Sequence, residues 1–199
     1  MNPNYRTELS LVIPTFNEEG NVQRLYEHIK VVLDKLHIDA YEVIFIDDGS
    51  SDASLQRIED LRSQDARVHY LQFSRNFGHQ HALKAGLDYA CGAAVISLDA
   101  DLQHPPALIA EMVQLWRNGA EVVYTRRQDK QNVGFFKKIS AKVFYWLANR
   151  LSEVPIEEGT ADFRLLDRKV VSAIKSFKES HLFLRGLIPT LGFKQVALD

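Results

Sequence analysis

"AAVISLDADLQHPPALIAEMVQLW" (93–116) holds three kinds of signal in succession. Residues 93–99 are a short, continuous apolar run ending in Asp99, the pattern of a strand covered on both faces. Asp99, Asp101 and Gln103 then place side-chain oxygens at alternate positions. Pro105 and Pro106 suit the first turn of a helix, where a missing N–H costs little, and a helical pattern runs on to Trp116. A strand that empties into hard oxygen donors and restarts as a helix is a βα unit whose loop can carry chemistry.

The same grammar repeats on either side. "LSLVIP" (9–14), "EVIFIDD" (42–48), "VHYLQFS" (68–74) and "EVVYTR" (121–126) read as further strands. Between them, Val22, Leu25, Ile29, Val32 and Leu36 recur at helical steps within 21–37, and Leu55, Ile58 and Leu61 do so within 52–64. "HQHALKAGLDYA" (79–90) completes the helices. The alternation of strand and helix predicts an α/β fold, a mostly parallel central sheet with helices on both faces. No internal repeat, low-complexity tract or linker interrupts it before residue 127.

The bulk numbers agree. The chain has 199 residues, 46% hydrophobic and 25% charged, within the range of an ordinary globular domain. A net charge of -2 argues against a global pull toward nucleic acid or anionic lipid. The single cysteine, Cys91, rules out an intrachain disulfide. "MNPNYRTELS" lacks a signal-peptide pattern, and no apolar run is long enough to cross a bilayer, so the chain is expected to be soluble or peripheral.

In open α/β sheets, ligands bind at the carboxyl ends of the strands. The exits here are "PTFNEEGN", "DDGSSD", "SRNFGH", "DADLQHPP" and "TRRQDK", rich in acids and arginines. The glycine-rich G-x-G-x-x-G and G-x-x-x-x-G-K-[ST] phosphate loops are absent. If extended geometry persists past the strand, Asp99, Asp101 and Gln103 face one way. Two carboxylates and an amide oxygen suit Mg²⁺ or Mn²⁺. The plainer alternative is that Asp101 and Gln103 cap the next helix. The second acid cluster, "DDGSSD", favours the metal reading. His79 and His81 form an H-x-H, but no cysteine or third histidine is near in sequence to complete a zinc site.

The ordered set "VIPTFNEEGN", "EVIFIDDGSSD", "RNFGHQHALKAGLDYACG", "DADLQHPP" and "GTADFRLLDRKVV…HLFLRGL" resembles the family-2 glycosyltransferases. More narrowly it is similar to the polyprenyl-phosphate glycosyltransferases, the group of dolichyl-phosphate mannose synthase. The likeness runs from Leu9 to about Phe193. It implies a single GT-A catalytic domain over 1–199, a Rossmann-like αβα sandwich. It also implies a nucleotide-diphosphate sugar donor (UDP- or GDP-linked), a divalent metal, a polyprenyl-phosphate acceptor and inversion at the anomeric carbon. A transferase acting on a sugar hydroxyl, and a nucleotide-sugar-binding module without turnover, are the alternatives.

By position, the resemblance assigns Pro14, Phe16, Glu18, Ile46, Asp48, Arg75, Asp99 and Ala100 to the nucleotide. It assigns Asp99, Asp101 and Gln103 to the metal and diphosphate. Asp162, Arg164 and Arg185 fall at the reaction centre, Asp162 matching the acid usually named as general base. A phosphate monoester is largely dianionic at neutral pH and hardly needs a base, so Asp162 is equally suited to orienting the acceptor or an arginine. Arg126, Arg127 and Lys138 are the candidates for the acceptor phosphate. Many relatives carry lysine where this chain has His79, which weakens a phosphate role there.

Residues 132–151 place Phe135, Ile139, Val143, Trp146 and Leu147 on one helical stripe, with Lys137, Lys138, Lys142 and Arg150 largely off it. With the resemblance, that pattern is read as an interfacial helix on a membrane surface, at its cytoplasmic face. Relatives continue beyond "LGF" with a basic segment and often transmembrane helices. The chain is therefore expected to lack a C-terminal membrane region. Oligomeric state stays open, and no nucleic-acid partner is expected.

Overall fold

The computed structural model describes residues 7–126, 160–177 and 183–198. The elements run β1 (Leu9–Thr15), α1 (Val22–Lys35), β2 (Tyr41–Asp47), α2 (Ser54–Gln64), β3 (Val68–Gln72), α3 (His79–Tyr89), β4 (Ala94–Ser97), α4 (Leu108–Arg117) and β5 (Val122–Arg126). After them come β6 (Thr160–Asp167), α5 (Arg168–Ser176), α6 (Leu184–Thr190) and β7 (Gln195–Leu198).

The strands form one seven-stranded sheet in the order β3-β2-β1-β4-β6-β5-β7. Neighbours pair in parallel except at β6, which is antiparallel to both β4 and β5. Side chains leave a strand to alternate faces, so one run can feed two cores. Leu9, Leu11 and Ile13 of β1 join Val43 and Phe45 of β2 under α1, α2 and α4. Val12 joins Ile44 and Ile46 under α3, α5 and α6. All seven residues of β1 and all seven of β2 are buried, which is why both read as continuous apolar runs. The expected αβα sandwich is what forms.

Two local expectations are corrected. Pro105 and Pro106 do not lie in the first turn of α4. The N–H groups of Leu108 and Ile109 bond to their carbonyls at 3.1 and 3.0 Å, so the prolines form a tight turn that precedes the helix. β4 ends at Ser97 rather than Asp99. Its last ladder contact is Leu98 N–H to the Val12 carbonyl, 3.1 Å. Leu102 then takes φ +58°, which breaks the extended geometry.

Away from the carboxyl edge, Asp65 ties the α2–β3 connection to α1. Its carboxylate accepts from the Arg67 side chain, at 2.6 Å from Nη2, and from Tyr26 Oη at 2.5 Å. Hydrogen bonds from Arg67, opposed by burial and helped by Tyr26, hold the Asp65 carboxyl far below the usual carboxylate range. A depressed carboxylate stabilises the fold above its unfolded pKa, and that contribution is lost as pH falls through the folded value. Asp65→Asn is therefore expected to cost about 1 kcal/mol at pH 7, discounted because the Arg67 side chain is 35% exposed. The cost should shrink steadily below about pH 4, as urea melts across pH would show.

Candidate active site

The order in which strands are added reverses between β1 and β4: β2 and β3 extend the sheet to one side, β4 to the other, all parallel. A crevice opens outside the carboxyl ends of strands at such a switch. A cavity of about 410 Å³ lies there. Its walls are the exits of β1 (Pro14, Phe16, Glu18), β2 (Asp48), β3 (Asn76, Gly78, His79) and β4 (Asp99, Ala100, Asp101), closed by Asp162 and Arg185.

β6 explains how Asp162 reaches this rim. Because β6 runs against β4, its N-terminal end lies at the carboxyl edge of the parallel strands. Ser97 pairs with Arg164 in register, and Ser97 Oγ donates to the Asp162 carbonyl at 2.6 Å. Asp162 thus faces the β4 exit. Its carboxylate, 3% exposed, accepts two hydrogen bonds from Arg185 of α6, Nε to Oδ1 and Nη2 to Oδ2, each 2.7 Å. Arg164 is 5% exposed on the same strand. Burial pulls its guanidinium below its ordinary pKa, and the charge of Asp162 opposes that.

The β1 and β2 exits brace each other. Asn17 N–H donates to Ser50 Oγ (3.0 Å) and Ser51 N–H to Asn17 Oδ1 (2.8 Å). Glu18 N–H donates to Ser54 Oγ (2.7 Å), and Ala53 N–H to Glu19 Oε2 (2.9 Å). Much of "DDGSSD" is therefore scaffold. Asp48, 3% exposed, accepts from the backbone N–H groups of Phe77 (2.7 Å) and Gly78 (2.9 Å), which fixes the β3 exit against β2.

Gly49 makes that approach feasible. It sits at φ +71°, and a Cβ there would lie 2.5 Å from Arg75 C and 2.7 Å from Asn76 N. Gly49→Ala meets both a left-handed backbone penalty and a clash with backbone that cannot rotate away. A loss of about 3 kcal/mol is expected, read from denaturant midpoints.

His79, at the start of α3, sits between two of the assigned carboxylates. Its Nε2 lies 2.8 Å from Asp99 Oδ1 and its Nδ1 3.6 Å from Asp162 Oδ2. The hydrogen bond to Asp99 raises the His79 pKa above its ordinary value, against the effect of burial. Burial pushes the Asp99 carboxyl up, but the bond and charge of His79 outweigh it and the net shift is downward. No single-residue signal marks His79 in sequence, because both partners come from distant strands.

Other assigned residues stand apart from the cavity. Ile46 is fully buried and packs in the core with α3, where a Cβ on Gly86 would lie 2.7 Å from its Cδ1. Its side chain therefore belongs to the core and does not line the cavity. Arg75 is exposed, its guanidinium 4.4 Å from the Phe77 ring centre. Gln103 is exposed and outside the cavity lining. Its backbone N–H donates to Asp101 Oδ1 at 3.0 Å, so 101–103 is a turn in which alternate side chains do not share a face. Arg126 is exposed at the end of β5, 6.0 Å from the Tyr124 ring centre. Arg127, Lys138 and the 132–151 segment lie outside the described residues. Among the described residues, no three His, Cys, Asp or Glu side chains cluster as a metal cage, and no helix is long and apolar enough to cross a membrane.

Comparison with known proteins matches this architecture. The model of the glycosyl transferase family 2 matches residues 10–175, and the chain belongs to that family. Glycosyltransferase YkcC of Bacillus subtilis (strain 168) is 44% identical over 192 residues, 96% of this chain and 59% of the relative. The bactoprenol glucosyl transferase of Shigella phage SfV is 41% identical over 185 residues, 93% of this chain and 60% of the relative. The chain thus spans about three fifths of the length of these relatives. Among solved structures, a Pyrobaculum calidifontis mannosyltransferase in complex with GDP-Man and Mn²⁺ superposes with a TM-score of 0.67 at 18% identity, covering 98% of this chain and 56% of that one. S. aureus TarS 1–349 gives 0.63 at 16% identity, covering 96% and 58%. At such identities these two speak to the fold, which is GT-A-like.

Proposed function

We propose that this chain is the catalytic domain of an inverting transferase that moves a sugar from a nucleotide-diphosphate sugar to a polyprenyl phosphate. The observation that carries the reading is the convergence of Asp99 and Asp101 with the Asp162–Arg185 pair on one cavity at the carboxyl edge. The bactoprenol glucosyl transferases, at about two-fifths identity, supply the lipid-phosphate class.

The nucleoside is assigned to the side built by Pro14, Phe16, Glu18 and Asp48, where Phe16 offers a 45% exposed ring for stacking. Asp99 and Asp101 are hard oxygen donors lining the same space. Asp99 keeps Oδ2 beyond its contact with His79, and its carboxyl is held ionised. Such a pair fits Mg²⁺ or Mn²⁺, which take one or two protein carboxylates and leave the rest to phosphate oxygens and water. When bound, the ion neutralises charge on the departing diphosphate. Gln103 reaches such an ion only if its turn rearranges.

The acceptor phosphate is assigned to the arginine side, Arg185 at the cavity and Arg126 at the β5 exit, with Arg164 buried behind them beside the charge of Asp162. Arg127 and Lys138 complete that proposal from sequence. A phosphate oxygen attacks the anomeric carbon, forming a C–O bond as the bond to the nucleoside diphosphate breaks and its electron pair leaves with the diphosphate. The acceptor is already dianionic near neutral pH. Both Asp162 oxygens accept from Arg185, so Asp162 is assigned to orienting that arginine instead of to base catalysis. The lipid tail places the domain at a membrane surface, with 132–151 as the contact and the cytoplasmic face as the side.

The test uses radiolabelled UDP-glucose or GDP-mannose, Mn²⁺ and undecaprenyl phosphate in detergent. Label extracted with the lipid and released by mild acid is expected. Transfer only to soluble sugar hydroxyls would overturn the acceptor class.

A further inference from the structure

We propose that His79 is a positioning residue that orients the metal-facing carboxylate of Asp99 and holds it at a set distance from Asp162. The proposal rests on the reading of Asp99 as a metal ligand.

Three observations carry it. First, ionised carboxylates only accept hydrogen bonds, so the ring nitrogen 2.8 Å from Asp99 Oδ1 is the donor. A nitrogen bearing that proton cannot itself bind a metal. His79 therefore acts on the ion through Asp99, leaving Oδ2 for coordination. Second, the other ring nitrogen faces Asp162 Oδ2 at 3.6 Å, and Asp162 is anchored by Arg185. One imidazole thus spans the gap between the β4 exit, on the donor side, and β6, on the acceptor side. The next residue repeats the link: Gln80 Nε2 lies 3.5 Å from Asp162 Oδ2, and Gln80 Oε1 accepts from Leu184 N–H of α6 at 3.4 Å.

Third, the backbone that carries the ring is fixed, although the side chain itself is 40% exposed. Gly78, immediately before it, is pinned through its N–H to the buried carboxylate of Asp48. α3 packs so closely on the sheet that a Cβ on Gly86 would lie 2.3 Å from Val12 Cγ1. An outer partner of this kind sets the orientation of a coordinating group, and its loss typically costs ten- to a hundredfold in metal affinity or activity.

The test compares native protein, His79→Ala and His79→Gln. Gln keeps an amide N–H near the position of Nε2; Ala keeps nothing. Mn²⁺ is titrated in the presence of UDP or GDP, and free Mn²⁺ is followed by electron paramagnetic resonance. The expected result is Mn²⁺ affinity about tenfold lower in His79→Ala and largely restored in His79→Gln, with both variants folded by circular dichroism. A second readout needs no metal. The ¹⁵N signals of the His79 ring, assigned by their loss in His79→Gln, should shift in Asp99→Asn.

His79→Ala binding Mn²⁺ as tightly as native protein would overturn the proposal. Tighter binding would overturn it too, by showing that His79 competes with the ion for Asp99. Absence of Mn²⁺ binding by the native protein with either nucleotide removes the metal reading and the proposal with it. An Asp99-dependent ¹⁵N signal would then show that the contact itself is real and that the metal assignment is what failed.

Discussion

Asp101→Asn is expected to fold normally, to lose Mn²⁺-dependent nucleotide binding, and to lower sugar transfer by roughly a hundredfold or more. Asp101 does two things in this structure. Its Oδ1 accepts the Gln103 N–H and closes the turn, and its charge faces the cavity beside Asp99. Asn can keep the first role because its amide oxygen still accepts, but it forfeits the charge. Asp101→Ala removes both. If Asp101 serves only as a turn former, Asn is nearly silent and Ala mainly lowers stability. If it holds a metal, both variants lose binding together. Calorimetry on the two variants, with a denaturant melt on each, separates these outcomes.

Asp162→Ala carries the other large effect, in stability as well as turnover. It strips the carboxylate from Arg185 and from the neighbourhood of Arg164, which is 5% exposed. Breaking a buried pair by removing one partner costs about 3–5 kcal/mol. The Arg185 side chain is 41% exposed, so roughly 2–3 kcal/mol is expected here. Transfer should fall about a hundredfold as Arg185 loses its orientation.

Asp162→Asn isolates the chemistry. If Asp162 were a general base, its replacement would abolish the acid limb of the kcat profile. With the proposed phosphate acceptor, whose second pKa is near 6, that limb belongs to the acceptor and should persist in Asp162→Asn at reduced amplitude.

Strands covered on both faces announce themselves. β1 and β2 could be read because every residue is buried, and Val122 and Val123 of β5 lie in the core in the same way. β6 is hard to read as a strand because "TADFRLLD" interrupts its apolar residues with Asp162 and Arg164, both buried. Its antiparallel sense depends on the path of the intervening chain, which no local pattern records. β7 is four residues long and offers too little sequence to read.

At the site, the exits were legible because acids leaving buried strands are conspicuous. Their division of labour was not. Asp48 and Ser54 spend hydrogen-bonding capacity on loop backbone, and that is set by contacts between residues some 30 positions or more apart. The alternation of Asp99, Asp101 and Gln103 suggested one shared face. The early end of β4 and the positive φ of Leu102 undid it. His79 stayed hidden because its importance comes from two carboxylates 20 and 83 positions away.

The central claim is that the cavity outside β1 and β4 holds a nucleotide diphosphate with a divalent ion on Asp99 and Asp101. Isothermal titration of UDP and of GDP into the protein, with Mn²⁺ and again with a chelator, tests it most directly. The account predicts saturable binding of one nucleotide that requires the ion and disappears in Asp101→Asn. Equal binding with and without the ion, or binding that survives Asp101→Asn, would contradict it.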